Sequence, residues 1–222
     1  MGAGNLKALI FDCDGVLIDS EMLASRVESE LARELDLVLT VDEAHDLFFG
    51  KTVDGVLDAI AARTGQRPPI AFVYNWAFAT AHAFLAGLKA IPFVLEAAEA
   101  LRRRGVRLAV ASQSPLARVR FSLDVAGFAS FFGQHVYVTS MVPRPKPAPD
   151  VYLLAAARLG VEPGECIVVE DSPAGAASAR AAGFRAIGYV ADDAHANAVR
   201  AMQETGVEMI RSMDLLLPAI DG

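Results

Sequence analysis

The chain has 222 residues, 54% of them hydrophobic and 21% charged, with a formal net charge of −7. That length suits one or two domains whose core needs no staples, and the apolar content excludes a disordered chain. The acidic balance argues against nucleic acid and anionic membrane surfaces as partners, because their phosphates attract Lys and Arg.

Two cysteines, Cys13 and Cys166, stand far apart and in no metal-type spacing. They read as reduced, buried small hydrophobes of a cytoplasmic protein. Met1–Lys7 lacks the basic and apolar regions of a signal peptide. The first predicted element is a strand, Ala8-Leu9-Ile10-Phe11. From about residue 19 to 88 the periodicity is only helical, as in Leu23, Val27, Leu31 and Leu35, each four apart. Further helices are predicted over 42–49, 53–64 and 69–87, with breaks at Gly50 and Gly65–Pro69. Pro68–Leu88 carries no charge and approaches the roughly 20 residues that span a bilayer. Its two prolines, Asn75, Thr80 and His82 read instead as a mostly buried helix, so no membrane span is expected. His45 is expected at the surface, and His82 and Trp76 packed.

Beyond residue 90 helices and strands alternate. Helix Val94–Arg104 precedes strand Arg107–Ala111. Helix 115–126 precedes strand Val136–Val138, and helix 149–159 precedes strand Cys166–Val169. Helix 173–182 precedes strand Ala186–Val190, and one more strand is placed near Val207–Ile210. Glycines 105, 160 and 183 follow helix ends, as C-terminal signals do. Short apolar strands between helices of this length imply βαβ units and a parallel sheet. The expected fold is therefore α/β: a three-layer, Rossmann-like core domain (1–18 and 89–222) interrupted by an all-helical insert (19–88).

In such sheets ligands bind beyond the carboxyl ends of the strands. Those ends read Asp12-Cys13-Asp14-Gly15, Ser112-Gln113-Ser114-Pro115 and Glu170-Asp171-Ser172-Pro173, with the loop Arg144-Pro145-Lys146-Pro147-Ala148-Pro149-Asp150 between. Pro115, Pro149 and Pro173 mark helix starts, whose free N–H groups favour an anion. Asp12 and Asp14 at i and i+2 repel, and would hold a metal or a shared proton; an Asx turn is the competing reading. Taken singly, Glu170-Asp171 is also an acidic helix flank, Ser112 a strand-end hydroxyl and Lys146 a solvated loop lysine.

Taken together, these segments resemble the haloacid dehalogenase-like hydrolase superfamily over nearly the whole chain. Asp12-x-Asp14-Gly15-Val16 is similar to its first motif, Ser112 to its second, Lys146 to its third and Glu170-Asp171 to its fourth. The insert resembles the helical cap of the branch that includes phosphoglycolate phosphatases and β-phosphoglucomutases, as do Lys146-Pro-Ala-Pro-Asp150 and Glu170-Asp-Ser-Pro-Ala-Gly175.

The resemblance implies a Mg2+-dependent phosphatase acting on a small, sugar-type phosphomonoester. Asp12 would attack phosphorus and form an aspartyl-phosphate, and Asp14 would serve as general acid, then base. Mg2+ would be held by Asp12, the Asp14 carbonyl and Asp171, with Glu170 supporting or ligating it. Lys146 and Ser112 would bind phosphoryl oxygens, with Gln113 as a further donor. Phe49-Gly50-Lys51-Thr52 resembles the cap's specificity loop, where Lys51 is either a substrate contact or a solvated lysine. The cap would act as a lid hinged near Ile18–Ser20 and Ala86–Pro92.

A mutase and a non-catalytic phosphate-binding relative are the alternatives. The mutases carry a His where this chain has Ala24 and an Arg where it has Val53. The intact set Asp12, Asp14, Ser112, Lys146 and Asp171 argues against a non-catalytic relative. The implied partner is a small phosphorylated metabolite, and the chain would be a monomer or homodimer.

Overall fold

The computed structural model describes residues 6–191 and 196–222. Most of the Met1–Lys7 stretch and part of the tail after Ala191 lie outside those residues. Six strands make one parallel sheet: β1 (Ala8–Phe11), β2 (Arg107–Ser112), β3 (Val136–Val138), β4 (Cys166–Glu170), β5 (Arg185–Tyr189) and β6 (Glu208–Ile210), in the order β3-β2-β1-β4-β5-β6. The register pairs Phe11 with Val110 on one side and with Val169 on the other. The residues that follow β1, β2 and β4 therefore leave the sheet side by side, at the carboxyl edge and at the point where strand order reverses.

The sheet is buried on both faces, and the period-two alternation divides it cleanly. Leu9, Phe11, Leu108, Val110, Ile167, Val169 and Ile187 point to one side. There they meet α5 (Val94–Arg103), α6 (Leu116–Val125) and α10 (Leu216–Asp221) through Leu101, Leu123 and Ile220. Ala8, Ile10, Ala109, Ala111, Cys166, Val168 and Ala186 point to the other side, where α7 (Asp150–Leu159) and α8 (Pro173–Ala181) contribute Tyr152, Ala155, Leu159 and Ala179. The alanines on this second face leave room for the fully buried Tyr152 ring. The tail adds α9 (Ala196–Glu204) and α10, neither of which the sequence pattern had resolved.

The insert folds as α1 (Glu21–Ala32), α2 (Val41–Phe48), α3 (Val53–Thr64) and α4 (Ile70–Gly87) around a core of its own, with Val27, Leu31, Phe48, Leu57, Ile60, Phe72 and Trp76 at its centre. Thr40 and Glu43 close a capping box at the start of α2, and Thr52 caps α3. Two adjacent linkers tie the insert to the sheet domain. The Asp19 N–H donates to the Lys89 carbonyl at 2.9 Å, and the Ile91 N–H to the Leu17 carbonyl at 3.0 Å.

Two expectations need correcting. α4 is not mostly buried: only Phe72, Trp76, Thr80 and Phe84 are, while Ile70, Tyr74, Phe78 and Leu85 lie on the surface. Its length and composition alone would allow a bilayer crossing, but its buried stripe, at i, i+4, i+8 and i+12, is packed within this fold. The histidines are also exchanged, with His82 exposed and His45 half-buried beside a cleft.

Close packing under α7 gives a direct test. Ala109→Leu adds three carbons to a fully buried position, and the expected loss is about 1–3 kcal/mol of unfolding free energy in a urea titration. An unchanged midpoint would show that the sheet–helix spacing is slack.

Candidate active site

The chain leaves β1 at Asp12, whose N–H donates to the Val169 carbonyl at 2.9 Å and so stays in register with β4. It then turns sharply, with the Leu17 N–H bonding the Cys13 carbonyl at 2.9 Å. Gly15 takes φ +74°, and a Cβ there would overlap the Asp171 carboxylate; the turn fits only because glycine has none. Cys13 is buried in the core and burial, with Asp14 and Asp12 beside it, holds its thiol well above the ordinary range. It is therefore no nucleophile.

Lys146 occupies the centre. Its Nζ donates to Asp12 Oδ1 at 2.6 Å, to Glu170 Oε1 at 2.5 Å and to the Ala111 carbonyl at 3.0 Å. All three ammonium protons are thus engaged, and the Tyr152 ring packs 4.7 Å from the nitrogen. Burial works against this ammonium, but Asp12 and Glu170 outweigh it and keep it charged.

Glu170 is fully buried. Tyr152 donates its hydroxyl to Oε1 at 2.6 Å, while the Ser172 N–H and hydroxyl serve Oε2 at 3.0 and 2.9 Å. Burial again opposes the ionised form, and Lys146 first and then these donors hold the carboxyl below its usual range. With both oxygens engaged, Glu170 anchors the lysine and offers no open ligand position. Ser172 also caps α8, accepting from the Gly175 N–H at 3.1 Å, and a Cβ on Gly175 would run into the Glu170 carboxylate.

Asp12 has one oxygen on Lys146, and the other makes no hydrogen bond among the described residues. Burial pushes this carboxyl up to about 7, against the pull of Lys146. Asp14 is held differently. Ser20 donates to its Oδ1 at 2.6 Å, Ser114 to its Oδ2 at 2.7 Å, and Arg118 Nη2 lies 3.1 Å from Oδ1. Burial raises Asp14, but Arg118 and the two serines outweigh it, so the carboxyl lies below its ordinary value and is ionised. Asp171 stands well above its ordinary value through burial, then through Glu21, Glu170 and Asp12, and it shares a hydrogen bond with Glu21.

These groups open into a cleft of about 110 Å3 between the sheet edge and the insert. Asp12, Asp14, Ser112, Gln113, Lys146 and Asp171 line it from the sheet side, and Lys51 from the insert, so the predicted residues converge except for Glu170, which lies behind them. Ser112 is nearly sealed and accepts from the Ser114 N–H at 3.0 Å. Gln113 donates its amide to the Gly50 carbonyl, joining sheet domain and insert across the cleft. Lys51 is exposed. Sequence reasoning missed Glu21, Glu28, Ser114, Arg118 and Tyr152. Only Ser114 carried a signal, as the second serine of Ser112-Gln113-Ser114-Pro115.

Among the described residues no three His, Cys, Asp or Glu side chains form a metal-holding cluster. The cleft is nevertheless short of positive charge: Asp171 and Glu21 share a hydrogen bond and burial favours a proton on each. Two hard-oxygen carboxylates on the cleft, the buried Asp12 and the half-buried Asp171, fit a divalent cation that completes its shell with water and backbone oxygen.

A model of the haloacid dehalogenase-like hydrolases matches residues 6–183. The chain belongs to that family. A family hydrolase from Deinococcus radiodurans, solved with bound phosphate and sodium, superposes with a TM-score of 0.78 at 34% identity, covering 97% of this chain and 95% of its own. Hexitol phosphatase A of Escherichia coli is 32% identical over 182 residues, 82% of each protein. Protein SUPPRESSOR OF QUENCHING 1 of Arabidopsis thaliana is 32% identical over 83% of this chain, but the chain spans only 18% of that protein.

One half-buried carboxyl gives a pH test. Glu28, on the cleft wall, is pushed up to about 7 by burial, which Arg118 opposes and Asp14 reinforces. The folded state therefore holds this proton more tightly than the unfolded chain. That stabilisation is present below about 4.5 and is lost as pH rises through 7. Glu28→Gln is expected to melt like the parent at pH 4.5 and to exceed it at pH 8 by up to roughly 3 kcal/mol. An advantage that does not grow with pH would refute this.

Proposed function

We propose that this hydrolase is a phosphatase that cleaves a small, sugar-type phosphomonoester through an aspartyl-phosphate on Asp12. The observation that carries the reading is the buried Lys146 bridge, which holds one oxygen of Asp12 and leaves the other without a hydrogen bond among the described residues. Asp14 stands two residues on, lining the same cleft. The hexitol phosphatase likeness supports a sugar-type substrate.

Asp12 Oδ2 attacks phosphorus in line, and the alkoxide leaves from the opposite side. Asp14 protonates that leaving oxygen, and later takes a proton from the water that hydrolyses the acyl phosphate. Its ionised state here suits the second step, and its acid form requires that the Arg118 contact loosen. Lys146 keeps Asp12 from repelling the incoming phosphate, and releasing its longest bond, to Ala111, would free one proton for a phosphoryl oxygen. Ser112 and the backbone donors around it take the remaining oxygens. Asp12, Asp171 and the Asp14 carbonyl would hold Mg2+, with Glu170 supporting from behind through Lys146. The ion supplies charge neutralisation for the transferring phosphoryl group.

Residues 19–88 act as a lid that excludes water from the acyl phosphate, moving on the paired linkers at 17–19 and 89–91. Ala24 and Val53, where the mutases carry His and Arg, line the cleft with apolar surface, so those two positions offer neither group for a second phosphoryl transfer to sugar.

A panel of phosphate esters assayed with Mg2+ tests the reading. Asp12→Asn is expected to abolish phosphate release while the protein remains folded. Asp14→Asn is expected to lower kcat about 10²–10⁴-fold. Failure of every ester to release phosphate, or an Asp14→Asn effect confined to KM, would overturn it.

A further inference from the structure

We propose that Arg118 is the specificity-determining residue at the leaving-group end of the cleft, where it binds a second anionic group, carboxylate or phosphate, on the carbon body of the substrate. The inference rests on the phosphatase reading, which puts the leaving oxygen beside Asp14.

Arg118 sits on the first turn of α6, immediately after the β2 end that supplies Ser112 and Ser114. Its Nη2 lies 3.1 Å from Asp14 Oδ1, so the guanidinium is one hydrogen bond away from the residue that meets the leaving group. It lines the cleft. Its guanidinium carbon packs 5.2 Å from the centroid of the Phe84 ring on α4, which fixes it between sheet domain and insert.

Asp14 does not depend on this arginine for its hydrogen bonds. Ser20 and Ser114 already serve its two oxygens at 2.6 and 2.7 Å, and the arginine contact is the longest of the three. The guanidinium, in turn, is under-used. Its Nε is buried and has no partner among the described residues, although a fork of five donors is shaped to take carboxylate or phosphate. A buried donor with no acceptor is unfavourable, and a charged acceptor brought in by a ligand relieves it.

The other groups around it are compatible with an anion. Glu28 faces it from α1, and burial favours its uncharged form. Glu21, also on α1, shares a hydrogen bond with Asp171. Lys51 lines the same cleft. An adjoining cavity of about 280 Å3, with Trp76, Thr80 and Phe84 among its walls, shares Arg118 with the cleft. The carbon body of a substrate thus has room beside the guanidinium.

Two matched pairs of esters isolate the effect, because any general damage to Asp14 cancels in a ratio. 6-Phosphogluconate and sorbitol 6-phosphate differ only in a carboxylate against a hydroxymethyl group, and fructose 1,6-bisphosphate and fructose 6-phosphate differ by one phosphate. With Mg2+, the parent enzyme is expected to prefer the more anionic member of at least one pair by about tenfold in kcat/KM. Arg118→Met, which keeps the apolar stem against Phe84, is expected to bring that ratio near one, mainly through KM, and Arg118→Lys to restore part of it. The pair that responds tells whether carboxylate or phosphate is read. Equal ratios in parent and Arg118→Met, or no anionic preference in the parent, would overturn the proposal and leave Arg118 as an ion pair to Asp14. Absence of phosphate release from all four esters, with release from others of the panel, would overturn this inference alone, whereas absence from the whole panel would bring down the phosphatase reading and this inference with it.

Discussion

A fully buried ammonium held between two buried carboxylates is the constraint around which this molecule is organised. Removing Lys146 alone would strand Asp12 and Glu170 as charges in a low-dielectric interior, which is far more unfavourable than losing an exposed pair. The surrounding structure meets that demand from four elements. β1 ends at Asp12, β4 carries Glu170, β2 lends the Ala111 carbonyl, and α7 presents Tyr152. The packing follows from the same need. Alanines on that face of the sheet let Tyr152 reach Glu170, and glycine at 175 leaves space for the carboxylate above α8.

The arrangement sorts the acidic residues by environment. Glu170 is satisfied on every side and stays ionised, so its charge belongs to Lys146. Asp14 is held ionised by Arg118 and two hydroxyls. Asp12, buried, and Asp171, half-buried, have too few cations beside them, and loss of hydration drives both toward their neutral forms. A divalent cation is the natural complement of such a pair, since it replaces protons with charge and suits oxygen donors. The global charge of −7 therefore says little about anion binding; the local ordering of carboxylates, lysine and arginine decides it.

The insert contributes a different kind of order. It packs around a hydrophobic centre of its own. It meets the sheet domain through two paired linkers, through Gln113 on the Gly50 carbonyl and through Arg118 on Phe84. The candidate site thus lies where the sheet edge and the insert meet.

Much of this was legible without coordinates. The strands Ala8–Phe11 and Val136–Val138 fall where the apolar runs placed them, and the other boundaries agree to within one or two residues, because alternation, glycine stops and caps are local signals. The short strand ends at Asp12, Ser112 and Glu170 pointed to the candidate cleft, since a parallel sheet brings its carboxyl edges together. The sequence could not assign faces on α4, where nearly every position is apolar and the exposed stripe of Ile70, Tyr74 and Phe78 looks like the buried one. Nor could it show that Glu170 anchors Lys146, that His45 faces the cleft while His82 does not, or that Arg118, 104 residues from Asp14, reaches its carboxylate. Those are relations between elements distant in the chain. Periodicity and spacing report only on neighbours in sequence, whereas burial, charge pairing and an unpartnered donor exist only once the sheet and the insert have closed on each other.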